Sequence, residues 1–110
     1  MDEKKKLKVY VSGQITGRPL DEAKVKFDAA KERLTKRGYE VVTPFDNGLP
    51  NSAPYAEHMK ADIKLLLDCD AIYLLCGWTY SGGAQIERDV ARVCGLQALF
   101  EFEDEDFKRL

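Results

Sequence analysis

The chain has 110 residues, 45% of them hydrophobic and 33% charged, and its 17 basic and 19 acidic side chains leave a net charge of −2. That is the composition of one ordinary globular domain, long enough to bury roughly two-thirds of its unfolded surface. It lacks the basic footprint of a nucleic-acid binder and any apolar run near the roughly 20 residues that span a bilayer, so neither nucleic acid nor membrane is expected as a partner.

The chain begins Met1-Asp2-Glu3-Lys4-Lys5-Lys6, charged and without the apolar core of a signal peptide, and residues 1–6 read as a solvated tail. Leu7 to Val11 alternates and is β-rich, which predicts a strand, and Ser12-Gly13-Gln14-Ile15-Thr16-Gly17 follows as a loop. A helix is predicted from about Leu20 to Lys36, with Ala23, Phe27, Ala30 and Leu34 on one face and Gly38 as its stop. Tyr39 to Thr43 reads as a second strand ended by Pro44. Residues 45–54 form the longest irregular segment, a length that in compact domains often carries function and otherwise marks a surface excursion. A second helix covers about Tyr55 to Leu67 with Met59, Ile63 and Leu66 facing inward. Ala71 to Cys76 is almost unbroken apolar sequence, the pattern of a central parallel strand covered on both faces. After a loop, a third helix runs from about Gly83 to Cys94 with Gly95 as its stop, and Gln97 to Phe102 makes a fourth strand. Residues 103–110 are read as an acidic tail.

Strands alternating with helices give a parallel sheet with right-handed crossovers. The expectation is a single α/β domain over 1–110, a flavodoxin-like three-layer sandwich whose parallel sheet has four strands, or five, in the order 2-1-3-4. Cys69, Cys76 and Cys94 are odd in number and form no Cys-x-x-Cys pair, which argues against a disulfide framework and for a reducing compartment, the cytoplasm. All three are expected to pack as small buried apolar groups. With His58 the single histidine, no His/Cys metal cluster is expected.

In an open α/β sheet a ligand binds beyond the carboxyl ends of the strands, where strand order reverses. Here that crevice falls between strands one and three, flanked by Ser12 to Arg18 and Gly77 to Gly83, the two stretches where glycine, serine and threonine cluster. The third helix supplies the sharpest signal. On a wheel of about 100° per residue, Gln85, Arg88, Asp89 and Arg92 take one half. Ala84, Ile86, Val90, Ala91, Val93 and Cys94 take the other, with Glu87 near its middle. A carboxylate there is costly unless paired, hydrogen-bonded or protonated. It is either a structural glutamate or a functional one beside the crevice, where perturbed carboxylates concentrate.

Asp62 lies on the rim of the second helix's apolar face, four residues from His58, and either can be a boundary residue or part of a site. Tyr10 can aim its hydroxyl at the crevice or pack in the core. Trp78 and Tyr80 can stack a nucleobase or cover a strand end. The first loop is neither G-x-G-x-x-G nor a P-loop. Ser81-Gly82-Gly83 before a helix can hold an anion through backbone N–H groups, or Ser81 can simply cap the helix.

With these residues in hand, the chain resembles the nucleoside 2-deoxyribosyltransferase superfamily over about residues 8–100. The matching features are Val9-Tyr10-Val11-Ser12-Gly13 with Ile15-Thr16-Gly17, then Ala61-Asp62 before Asp70-Ala71-Ile72, then Ser81-Gly82-Gly83-Ala84-Gln85-Ile86-Glu87. Within that superfamily it is most similar to the 2'-deoxynucleoside 5'-phosphate N-hydrolases and to a group of short members. The resemblance implies cleavage of the N-glycosidic bond of a deoxynucleoside or its monophosphate, as hydrolase or transferase, without metal or organic cofactor, by a homodimer or larger assembly. It implies Glu87 as nucleophile, Asp62 as the carboxylate that holds the nucleoside, and Tyr10 as the group that orients the glutamate. Ser12, Gly13, Gln14, Ile15, Gly17, Trp78, Ser81, Gly82 and Gly83 are the expected substrate contacts, with Ser81 tilting the substrate toward a 5'-phosphate. The competing expectation is a nucleotide-binding or sensing module without catalysis. A flavodoxin-type electron carrier rests on topology alone, and a receiver domain is set aside because no acidic pair follows strand one.

Overall fold

The computed structural model describes residues 6–109. Of the expected N-terminal tail only Lys6 falls inside that span, and Leu110 also lies outside it. Four strands, β1 (Lys8–Ser12), β2 (Glu40–Val42), β3 (Ala71–Leu74) and β4 (Gln97–Phe100), form one parallel sheet in the order β2-β1-β3-β4. Between them run α1 (Leu20–Lys36), α2 (Tyr55–Leu67) and α3 (Gly82–Val93), with short 3₁₀ turns at Pro44–Asp46, Trp78–Tyr80 and Glu101–Glu103. This is the expected flavodoxin-like sandwich, with four strands among the described residues.

Strand periodicity divides the core. Val9 and Val11 point to one face of β1, where they meet Phe27, Ala30 and Leu34 of α1 together with Tyr73 and Leu75. Tyr10 and Ser12 point to the other face, where Leu66 of α2, Ala91 of α3, Ile72 and Leu74 complete a second cluster around Tyr10. Each large apolar side chain withdrawn from water here contributes about 1.5–3 kcal/mol. Helices α1 and α3 stop as expected. Gly38 and Gly95 have φ of +95° and +78°, and the residues after them, Tyr39 and Leu96, donate back to Leu34 and Ala91. That is the Schellman closure, which glycine enters without a Cβ penalty.

Several sequence expectations are corrected. The buried stripe of α3 is only Ala84, Glu87 and Ala91, while Ile86 and Val93 are 47% and 79% exposed. The wheel gives direction but not the width of the packed contact, and two alanines set close to the sheet leave the flanking residues in solvent. Of the cysteines only Cys69 is buried; Cys76 and Cys94 are exposed, and all three are free thiols. Cys69 Sγ lies 3.3 Å from the Leu65 carbonyl oxygen, and burial pushes its thiol up to about 11. Ile63 and Met59 are half-buried, whereas Asp62, expected on the rim, is buried with Leu66.

The acidic C-terminal segment folds back instead of trailing away. Glu101 is buried against Arg33 at 2.8 Å and accepts the Cys76 N–H at 2.8 Å. Asp104 accepts from Arg37 at 2.5 Å and from the Tyr73 hydroxyl at 2.6 Å, and caps α4 (Glu105–Lys108). Burial alone would raise Asp104, but these partners hold it down at about 2. The acidic residues past β4 therefore serve as the second half of an arginine clamp on α1.

Candidate active site

Tyr10 and Ser12 stand two residues apart on one face of β1, the period that puts both side chains on the side covered by α3. The small residues Ala84 and Ala91 bracket Glu87 by roughly a turn on each side, so the helix backbone sits close enough for the carboxylate to reach the strand. Tyr10 Oη donates to Glu87 Oε2 at 2.9 Å and Ser12 Oγ donates to Oε1 at 2.7 Å. Tyr10 and Ser12 have no exposed surface and Glu87 is 4% exposed. Burial pushes the Glu87 carboxyl up to about 7, against the lowering effect of its two hydroxyl donors and with the Asp62 charge adding to the rise. The tyrosine answers in kind, its hydroxyl pushed well above the ordinary value by burial and by the facing carboxylate.

Glu87 forms part of the wall of a cavity of about 570 Å³ at the carboxyl end of the sheet, a volume in the range of small-molecule sites. Gly13 and Ile15 line it from the loop after β1, and Ser81, Gly82 and Gly83 line it from the start of α3. The opposite wall is the irregular segment between β2 and α2, through Phe45, Asn47, Leu49 and Asn51, and α2 itself contributes His58, Met59 and Asp62. The long loop thus supplies much of one wall of the cavity. Among the described lining residues there are two carboxylates and no lysine or arginine.

The expected substrate contacts separate into two groups. Gly13, Ile15, Ser81, Gly82 and Gly83 face the cavity with Asp62 and Glu87; Ser12, Gln14, Gly17 and Trp78 do not line it. Ser12 is buried behind Glu87 as its hydrogen-bond donor. The Gln14 amide turns back to the Thr16 carbonyl at 3.4 Å. Trp78 covers the end of the sheet, its ring 6.2 Å from that of Phe100, while Tyr80, 83% exposed, is the aromatic residue of this turn at the cavity. Ser81 accepts the Ala84 N–H at 3.1 Å and so acts as the N-cap of α3, with its own proton left to donate. The missing side chain at Gly13 answers to packing: a Cβ there would lie 2.8 Å from Leu75 Cδ1.

Asp62 is paired with a residue that the sequence reading did not single out. Asn47 Nδ2 donates to Asp62 Oδ1 at 2.8 Å and lies 3.0 Å from His58 Nδ1. Burial raises the Asp62 carboxyl, and the Asn47 bond and nearby His58 work against that rise. The one signal for Asn47 was its place in the long irregular segment; its partners are 11 and 15 residues away on another element. No group of three or more His, Cys, Asp or Glu residues among the described residues could hold a metal ion.

A parallel α/β domain with a buried, doubly hydrogen-bonded carboxylate at the switch point of its sheet defines the class. The family model described as Domain of unknown function (DUF4406) matches residues 7–100, and the chain belongs to that family. No curated protein matches it. Among solved structures it is similar to a 2-deoxyribosyltransferase from the psychrotolerant bacterium Bacillus psychrosaccharolyticus, at 19% identity and a TM-score of 0.67 over 84% of this chain and 70% of that one. It is also similar to a 2-desoxiribosyltransferase from Leishmania mexicana, at 18% identity and a TM-score of 0.67 over 86% of this chain and 63% of that one. Both likenesses are of fold.

Proposed function

We propose that this protein cleaves the N-glycosidic bond of a deoxynucleoside, with Glu87 as the nucleophile. The observation that carries the reading is the Glu87 carboxylate itself, buried at the cavity wall and gripped by Tyr10 and Ser12. A carboxylate oxygen attacks the anomeric carbon, the bond from that carbon to the base nitrogen breaks, and its electron pair leaves with the base, which takes a proton. Water or a second base then attacks the same carbon, gives up a proton that balances the one the departing base took, and returns the glutamate as a carboxylate. The two hydroxyl donors hold the attacking group in one rotamer, which lowers the entropic part of the barrier. Asp62, across the cavity, holds the sugar or base within reach.

Whether the sugar carries a 5'-phosphate divides two forms of this reading. Ser81 and the N–H groups at the start of α3 would have to meet a phosphate without help from a cationic lining residue and in the field of two carboxylates. That balance favours the uncharged nucleoside over the monophosphate, to which Ser81 alone had pointed.

The test is base release from a panel of deoxynucleosides and their 5'-monophosphates, read by chromatography against a Glu87→Ala control. Release by the native chain and not by the control supports the reading. Saturable ligand binding with no release above the control points instead to a binding module without catalysis.

A further inference from the structure

We infer that Asn47 is the positioning residue of this site, a single amide that holds Asp62 in the cavity and fastens the 44–54 wall to α2. Every hydrogen on that amide is spoken for. Its Oδ1 accepts the Leu49 N–H at 2.9 Å, and its Nδ2 reaches Asp62 Oδ1 at 2.8 Å and His58 Nδ1 at 3.0 Å. An amide nitrogen only donates, so His58 Nδ1 is the acceptor, and Nε2 carries the proton given to the Pro50 carbonyl at 3.1 Å.

These bonds join residues 47 and 50 of the wall to His58 and Asp62, two positions one turn apart on α2, and tie Leu49 to Asn47 within the wall. Asn47 has no N–H left for a ligand, which is why it acts through its neighbour. Asp62 Oδ1 is occupied by Asn47, and Oδ2, with no hydrogen bond to a described residue, is the oxygen left for a substrate hydroxyl or base edge. The amide thereby selects which oxygen of Asp62 faces the cavity and sets the distance between the two walls. The inference rests on the proposed function only for its kinetic consequence; the placement of Asp62 is readable without turnover.

The test compares the native chain with Asn47→Ala and Asn47→Asp, following the Asp62 carboxyl by carbon NMR titration and the Leu49 amide by hydrogen exchange. Asn47→Ala removes the donor while the burial remains, so the proton affinity of Asp62 rises about tenfold, one pKa unit. The Leu49 amide in the same variant exchanges faster. Asn47→Asp keeps an oxygen for the Leu49 N–H but loses the donor to Asp62, so Leu49 stays protected while Asp62 still moves up. An Asp62 titration unchanged in Asn47→Ala, or a Leu49 amide equally protected there, overturns the inference. Base release that persists at the native rate while Asp62 has shifted also overturns it. If the native chain releases no base at all but both NMR changes occur, the clip stands and the glycosidic reaction falls.

Discussion

Replacing Glu87 by glutamine should abolish a pH dependence of stability that the native chain owes to one buried carboxyl. The group titrates near 7 in the folded protein against an ordinary value of 4.5. Its folded pKa is raised, so the stabilising condition is the protonated one, complete below 4.5 and lost as pH rises toward 7. Between those limits the unfolded chain has released a proton that the folded chain retains, and native stability falls by about 1.4 kcal/mol per pH unit, about 3 kcal/mol in all. Glutamine matches the shape of the protonated acid, with one oxygen to accept and an N–H to donate. Each hydroxyl of Tyr10 and Ser12 can play either role. Urea unfolding of both proteins at pH 5, 6, 7 and 8 measures the difference directly, and the titration of groups remote from Glu87 cancels in the subtraction. The variant should match the native chain to within about 1 kcal/mol at pH 5 and exceed it by about 2–3 kcal/mol at pH 8. A difference that stays constant across the series would falsify the claim that burial outweighs the two hydroxyl donors.

Other expectations follow from the same geometry. Tyr10→Phe removes one of the two donors, so it should cost about 1–2 kcal/mol in urea unfolding and move the alkaline-rising limb of any base-release profile to higher pH, because the proton on Glu87 is then harder to remove. Gly13→Ala drives a Cβ to 2.8 Å from Leu75 Cδ1 and should destabilise by about 1–3 kcal/mol in urea unfolding, whereas Gly82→Ala, with nothing within 4 Å, should keep native stability in the same measurement. Arg33→Ala strands Glu101 in a buried position and should cost about 3 kcal/mol. In the native chain, the contribution of Asp104 should be present above its ordinary value of 3.8 and fade as pH falls toward 2, visible as an acid-unfolding limb that Asp104→Asn flattens.

The helices show how far local pattern reaches. Leu20–Lys36 and Tyr55–Leu67 occupy the residues that their apolar spacing predicts, since periodicity, a preceding proline and, for the first, a glycine stop all act within a few residues of the chain. The order 2-1-3-4 follows from the apolar run at Ala71 and the handedness of crossovers, both legible without coordinates. Glu87 was legible too, because a charge near the middle of a helix's apolar half is visible in the chain itself. Its partners were legible only in part. Tyr10 could be aimed at the crevice, but Ser12 read as a ligand contact until the approach of α3 to β1 put it behind the carboxylate.

What tertiary structure alone decided are the relations between elements far apart in sequence. The amide of Asn47 meets Asp62 because the irregular segment after β2 folds over α2, and no local periodicity encodes that path. Ile86, Val93, Cys76 and Cys94 stand in solvent because burial depends on what lies opposite, which the wheel and the composition do not contain. Glu101 read as part of the fourth strand and Asp104 as part of an acidic tail, yet their charges are neutralised by Arg33 and Arg37, some 68 and 67 residues earlier in the chain. The sequence by itself determined the elements, their order in the sheet and the one carboxylate out of place. The packing of α3 on β1 and of the loop on α2 decided which side chains surround it, because hydrogen bonds and burial are properties of neighbours in space.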